Sequence, residues 1–214
     1  MSKIKAVLFD FDGTLVDTNE IILGSWRHTY KTILGRECKD EEVVNSFGEI
    51  LYDTMVDRFP NLPPEDCIKI YREYQEKIYK DAIEMCPGMR DLVLELKKRG
   101  YKLAIVTSRL KSSTETGLYK FDIANQFDAF VSCEDTDKHK PDPTPCLIAL
   151  DKLGVKADEA VMIGDSKYDI QCAHNAGIKA VLVNWTICLP ESERSGLSTP
   201  DWTVDKAEQI LDIV

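Results

Sequence analysis

Five short apolar runs rich in β-branched residues recur along the chain, and segments with helical spacing separate most of them. The runs are residues 4–9, 101–106, 129–131, 160–163 and 179–183. Short continuous apolar runs are typical of buried parallel strands. The helical segments are residues 89–99, 113–119, 144–153 and 167–176, and glycine follows three of these four, as is common where helices end. The alternation predicts an α/β fold with a doubly wound parallel sheet.

One long segment interrupts this alternation. It is helix-like nearly throughout, with apolar residues such as Ile22, Trp26, Tyr30 and Ile33 at helical intervals. A stretch of about 70 residues is too long for a plain connection between two strands. We therefore predict an all-helical cap domain at residues 17–85, inserted into a catalytic core formed by residues 1–16 and 86–214.

Composition excludes several classes of partner and site. The formal net charge of −10 disfavours a broad surface for nucleic acid or an anionic membrane. The seven cysteines include no CxxC pair, which argues against a zinc site and a disulfide framework. No apolar stretch approaches the roughly 18 residues of a membrane span. We expect a cytoplasmic protein, either a monomer or a weak homodimer, that binds a small molecule.

Polar side chains follow four of the apolar runs, and in an open parallel sheet ligands bind at the carboxyl ends of the strands. These side chains are Asp10, Asp12, Thr107, Ser108, Arg109, Lys140, Asp165 and Asp169. An isolated aspartate at a strand end is usually a turn or cap residue, and Ser166 can simply cap the next helix. The coincidence at four strand ends favours a site instead. For Arg109, a contact behind the site and a solvated side chain both remain open.

Four carboxylates at one edge of a sheet require a strong cation, because each negative charge raises the pKa of its neighbours. All-oxygen ligands with no nearby histidine or cysteine favour Mg²⁺, which also accepts water and phosphate oxygens. Gly13 and Thr14 supply backbone N–H groups at a turn, which can cradle an anion. We predict that a substrate phosphate is bound by Gly13, Thr14, Thr107, Ser108 and Lys140.

Phosphoryl transfer depends mainly on positioning and charge stabilisation, and a carboxylate is a suitable nucleophile once cations offset its repulsion from phosphate. We predict that Asp10 attacks phosphorus to form an aspartyl phosphate. Asp12 would protonate the leaving oxygen and then activate the water that hydrolyses the intermediate. Thr107 and Lys140 complete the predicted catalytic set.

The motifs around these residues together resemble the haloacid dehalogenase superfamily of aspartate-nucleophile hydrolases. They are the DFDGT run at residues 10–14, Thr107, Lys140 followed by proline, and the GDS run at residues 164–166 with Asp169. The resemblance implies a Rossmann-like core with a helical cap. It also implies that Asp10, the backbone carbonyl of Asp12, and Asp165 hold magnesium, while Asp169 orients the metal or its water.

The finer resemblance is to the phosphoglycolate phosphatase group and its bacterial pyrophosphatase branch. It involves residues 17–20, 28–29 and 47–49 of the predicted cap. Phosphomutases with this type of cap tend to have glutamate where this chain has Gly164, so the resemblance implies a phosphatase. A phosphomutase of the same fold and a non-hydrolytic phosphoaspartate signalling domain are the alternative functions.

Overall fold

The computed structural model describes residues 3–44, 47–185 and 189–214. In chain order, its strands and α-helices are β1 (Ala6–Phe9), β2 (Val16–Asp17), α1 (Asn19–Leu34), α2 (Leu51–Arg58), α3 (Pro64–Ala82), β3 (Glu84–Met85), α4 (Met89–Lys98), β4 (Lys102–Val106), α5 (Lys111–Lys120), β5 (Ala129–Val131), α6 (Thr144–Leu153), β6 (Ala160–Gly164), α7 (Lys167–Asn175), β7 (Lys179–Val183) and β8 (Trp202–Val204).

Six of the strands form one parallel sheet in the order β5-β4-β1-β6-β7-β8. Strand β1 lies between β4 and β6, and Phe9 at its end is in register with Ile105 and Ile163. The chain adds strands on one side of β1 and then on the other, so its topology reverses at β1. The predicted doubly wound α/β sheet is confirmed, with a strand at each predicted apolar run. The sixth strand, β8, was not predicted.

The side chains of the sheet alternate between two apolar layers. In β1, Val7 and Phe9 pack on the side of α4 and α5, whereas Ala6 and Leu8 pack on the side of α6 and α7. All four of these side chains are fully buried. Burial on both faces explains why the strands appear in the sequence as continuous apolar runs.

Helices α1, α2 and α3 form a helical insertion between β2 and β3. Strands β2 and β3 pair in an antiparallel ribbon, in which Val16 is in register with Met85 and Asp17 with Glu84. The insertion has its own apolar core, which includes Trp26, Tyr30, Phe59 and Tyr71. The ribbon thus brings the two ends of the insertion together beside the first strand of the sheet.

Two further expectations concern membranes and cysteines. Within the described residues, no helix is both long and apolar enough to cross a membrane. The six described cysteines are all free thiols, and Cys188 lies outside the described residues.

Gly117 in α5 lies in a closely packed region behind the carboxyl end of β1. A Cβ atom at this position would lie 2.6 Å from Cζ of the fully buried Phe11 and 3.2 Å from the hydroxyl of Tyr79. Helix propensity alone would make Gly117→Ala stabilising by roughly 0.8–1 kcal/mol. We expect a net loss of about 1–3 kcal/mol in the free energy of unfolding, because overpacking outweighs propensity.

Urea denaturation of Gly117→Ala measures this loss. The neighbouring Thr116→Ala, at an exposed position of the same helix, is the control and should change stability by less than about 0.5 kcal/mol. A Gly117→Ala protein at least as stable as the unmodified chain would contradict the predicted clash.

Candidate active site

The polar residues that follow β1, β4 and β6 meet at the carboxyl edge of the sheet. Asp10 directly follows β1, and its backbone N–H donates to the carbonyl of Ile163 in β6 at 2.9 Å. Thr107 directly follows β4, and its N–H donates to the carbonyl of Val131 in β5 at 2.9 Å. The sheet ladder therefore fixes the backbone up to the residues that face the site.

Lys140 joins two of the predicted carboxylates. Its Nζ donates to Oδ1 of Asp10 at 2.8 Å and to Oδ1 of Asp169 at 2.5 Å. All three side chains are buried. Burial alone would lower the pKa of Lys140, but the two ion pairs raise that pKa above its ordinary value. Lys140 is therefore a cation in the centre of the site.

The start of α7 holds Asp169 in place. Ser166 is the N-cap residue of this helix, and its hydroxyl accepts a hydrogen bond from the N–H of Asp169. In return, Oδ2 of Asp169 accepts hydrogen bonds from the N–H of Ser166 at 3.1 Å and from its hydroxyl at 2.6 Å. One oxygen of Asp169 thus completes a capping box while the other binds Lys140.

Gly13 brings the backbone of the DFDGT turn against Asp165. Its φ of +72° is in the left-handed region, and a Cβ atom there would lie 2.1 Å from Oδ2 of Asp165. Only glycine fits this close approach without rearrangement. The side chain of the next residue, Thr14, is fully buried, and its hydroxyl has no hydrogen-bond partner among the described residues. Thr14 is therefore not exposed to the site in this structure.

Asp12 forms an ion pair with a different cation from the one that pairs with Asp10. Nη1 of Arg109 donates to Oδ1 of Asp12 at 2.9 Å, and Nε of Arg109 donates to the hydroxyl of Ser113 at 2.9 Å. The guanidinium also lies over the ring of Tyr79, 4.3 Å from its centroid. The Arg109 side chain is only 8% exposed, so the solvated alternative is wrong. The sequence placed Arg109 at a strand end, but the pairing with Asp12 depends on the fold.

A cavity of about 790 Å³ lies between this edge of the sheet and the helical insertion. Of the predicted site residues, those that line it are Asp10, Asp12, Gly13, Thr107, Ser108, Lys140 and Asp165. Thr14 and Asp169 do not line it, since they lie behind the surface of the cavity. The hydroxyl of Ser108 donates to the carbonyl of Gly48 in the insertion at 3.2 Å. The cavity is thus closed on one side by the insertion.

The donor set suits a magnesium ion. Carboxylate oxygens of Asp10, Asp165 and Asp169 lie within 4.8 Å of one another, and all three residues are buried. Burial raises the pKa of Asp10 well above its ordinary value; the charge of Lys140 opposes this rise, and the charges of Asp169 and Asp165 add to it. A divalent cation would offset the remaining negative charge, and an all-oxygen set is the one that Mg²⁺ prefers. The residues therefore fit the predicted metal.

Comparison with known proteins agrees with this arrangement. The sequence pattern described as haloacid dehalogenase-like hydrolase matches residues 7–183. Pyrophosphatase PpaX of Bacillus cereus strain AH820 is 37% identical over 214 residues, which cover 99% of this chain and 97% of that protein. The match thus extends over both the sheet and the helical insertion.

Solved structures share the fold. A haloacid dehalogenase-like family hydrolase from Streptococcus pneumoniae aligns with a TM-score of 0.86 at 24% identity and covers 100% of this chain and 99% of its own. A protein from Haemophilus somnus, titled a predicted phosphoglycolate phosphatase, aligns with a TM-score of 0.83 at 25% identity, with 100% and 99% coverage. The arrangement of the sheet and the insertion is therefore common to these proteins.

Lys140→Met should destabilise the protein strongly. The substitution leaves the buried carboxylates of Asp10 and Asp169 without their cation, and breaking a buried ion pair in this way costs about 3–5 kcal/mol. Denaturation in the presence of a chelator measures the loss without compensation from metal ions. Adding Asp10→Asn should recover part of it, because one of the uncompensated charges is removed.

The matched control is Lys97→Met. Lys97 pairs with Asp128 at 2.6 Å, but both side chains are about one third exposed, at 31% and 39%. Exposed pairs contribute roughly 0.2–1 kcal/mol, so this variant should lose little stability. Equal losses in the two lysine variants would show that the buried lysine does not hold the site together.

Proposed function

The chain belongs to the haloacid dehalogenase-like hydrolases, and on that premise we propose that it is a magnesium-dependent phosphatase acting on a small phosphorylated metabolite through an aspartyl phosphate on Asp10. The observation that carries this proposal is the position of Asp10. Its carboxylate lines the cavity, and Lys140 holds one of its oxygens at 2.8 Å. The other oxygen is then the one available for attack on phosphorus.

The first half of the reaction transfers the phosphoryl group to the protein. An oxygen of Asp10 forms a bond to phosphorus as the bond from phosphorus to the leaving oxygen breaks. Asp12 gives a proton to that leaving oxygen. Arg109 orients Asp12 through Oδ1, so we assign the proton transfer to the second carboxylate oxygen. Thr107 and Lys140, which line the same cavity, bind the phosphoryl oxygens.

The second half releases phosphate. Asp12 takes a proton from water, and the water oxygen attacks phosphorus. The bond from phosphorus to the Asp10 oxygen breaks, which restores the free carboxylate of Asp10. The same residue thus acts as acid in the first half and as base in the second. The two carboxylates keep these separate tasks because each contacts a different cation.

Asp10, Asp165 and the backbone carbonyl of Asp12 would hold magnesium, with Asp169 beside them. Bound Mg²⁺ would offset the repulsion between the Asp10 carboxylate and the substrate phosphate. Asp169 keeps Lys140 in position whether or not it touches the metal, because its Oδ1 accepts a hydrogen bond from Nζ.

We propose that residues 17–85 act as a cap that selects the substrate. The insertion supplies much of the cavity wall, and Ser108 binds its backbone at Gly48. Pyrophosphate and phosphoglycolate are the substrates to test first, because relatives carry the names pyrophosphatase and phosphoglycolate phosphatase.

Phosphomutases with this type of cap tend to have glutamate at the position of Gly164, so the glycine favours hydrolysis over phosphoryl transfer within a sugar. A Cβ atom at this position would lie 2.3 Å from Cβ of Asp169, so a glutamate would displace Asp169 from Lys140 and the helix cap. Membership in a hydrolase family disfavours the alternative of a phosphoaspartate signalling domain.

Asp10→Asn should lower phosphate release from an aryl phosphate by at least about 10³-fold, because the amide is a poor nucleophile. Acid quenching should trap radioactive phosphate on the unmodified protein and not on the variant. Asp81→Asn, the same change at an exposed position of α3, is the control and should retain activity. A variant at position 10 that keeps about a tenth of the rate would exclude Asp10 as nucleophile.

Removal of magnesium should abolish turnover. We expect activity to disappear in a chelator and to return when Mg²⁺ is added in excess. Asp165→Asn should shift the Mg²⁺ concentration needed for half-maximal activity upward, since one of the proposed ligand oxygens loses its charge. Turnover that persists in the chelator would refute the proposed cofactor.

A further inference from the structure

Two arginines line the cavity within the described residues, and they differ in their partners. Arg109 is bound to Asp12 and Ser113, both at 2.9 Å. Arg72 lies on α3 in the helical insertion and is half-buried. No ion pair or hydrogen bond of its guanidinium with a described residue is present in the structure. No described residue of the protein therefore neutralises its charge through a direct contact.

Arg72 belongs to the face of α3 that covers the cavity. Ile68, Lys69, Gln75 and Glu76, which lie three or four positions away on the same helix, also line the cavity. Residues at this spacing share one face of a helix. Arg72 is thus placed over the space that also contains the reactive carboxylates.

The charge of Arg72 interacts electrostatically with a residue of the core. Burial raises the pKa of the Cys133 thiol, and Arg72 opposes that rise. Cys133 lies in the loop after β5 and also lines the cavity. The positive charge therefore acts on the space between the insertion and the sheet and not on solvent alone.

The other cation on this face of the helix is different. Lys69 lies 4.0 Å from Glu73, and its side chain is 73% exposed. Water already solvates such a group, so an additional anion contributes little. A half-buried guanidinium without a partner has lost part of its hydration, and its planar fork matches a carboxylate or a phosphate.

We propose that Arg72 is a substrate-binding residue that holds a second anionic group of the substrate, so that the enzyme prefers small phosphates bearing a carboxylate or a further phosphate over neutral phosphate esters. This inference rests on the proposed phosphatase function. The core residues bind the phosphoryl group that is transferred, and Arg72 binds the part of the molecule that leaves. Phosphoglycolate and pyrophosphate both have such a second anion.

Two nearly isosteric substrates separate this role from catalysis in general. Phosphoglycolate carries a carboxylate where ethyl phosphate carries a methyl group. Arg72→Gln should lower kcat/KM for phosphoglycolate and for pyrophosphate by about tenfold to a hundredfold, the range for lost hydrogen bonds to a charged group. Its kcat/KM for ethyl phosphate should stay within about twofold of that of the unmodified enzyme.

Two further variants control for structure and for charge alone. Arg72→Lys keeps the charge but not the fork and should retain an intermediate preference for phosphoglycolate over ethyl phosphate. Lys69→Gln removes an exposed cation from the same face and should leave the preference unchanged. Thermal unfolding of each variant checks that the fold is intact.

The outcomes distinguish the two proposals. Equal losses on phosphoglycolate and ethyl phosphate in Arg72→Gln would overturn the role of Arg72 and leave the phosphatase function in place. The same conclusion follows if the unmodified enzyme hydrolyses both esters equally well. An unmodified enzyme that releases phosphate from none of these compounds, nor from an aryl phosphate with Mg²⁺, would overturn the proposed function itself.

Discussion

The arrangement of the site depends on one buried lysine with two carboxylate partners. Lys140 joins Asp10, at the end of the central strand, to Asp169, in the first turn of α7. An unpaired charge in this environment would be strongly unfavourable, so the loop after β5 must bring Lys140 to this point for the edge of the sheet to be stable. The capping box of α7 fixes Asp169, and the ladder bond to Ile163 fixes Asp10. The positive charge of Lys140 thus compensates two carboxylates that come from two other parts of the chain.

Asp10 and Asp12 illustrate how neighbouring carboxylates acquire different surroundings. The residue between them, Phe11, is fully buried and packs against Gly117. The turn around it directs one carboxylate to Lys140 and the other to Arg109. Arg109, the partner in the second pair, follows β4, so this pair depends on β4 lying beside β1 in the sheet. In the proposed mechanism, separate cations allow one carboxylate to act as nucleophile while the other moves protons.

The sequence alone predicted the parts of the structure that produce strong local patterns. Five of the six sheet strands are apolar on both faces and could be recognised as continuous runs. Strand β8 was not predicted because it has only three residues, and of the first two, Trp202 is half-buried and Thr203 is exposed. The β2–β3 ribbon has two residues in each strand, too few for any periodicity. Motif spacing identified the carboxylates, whereas the partner of Arg109 required knowledge of which strand ends are neighbours.

Arg72 was beyond the reach of sequence reasoning for a different reason. Its spacing on α3 predicts a helix face, but a charged residue on such a face is most often solvated. Both Arg72 and Lys69 line the cavity, and only burial distinguishes them, because Arg72 is half-buried and Lys69, one turn away, is exposed. In the core, Lys140 and Arg109 already pair with carboxylates, so in the proposed role of Arg72 the cation for the rest of the substrate comes from the insertion. Under this proposal, substitutions on one face of α3 alter which phosphate is accepted without disturbing the bonds at the edge of the sheet.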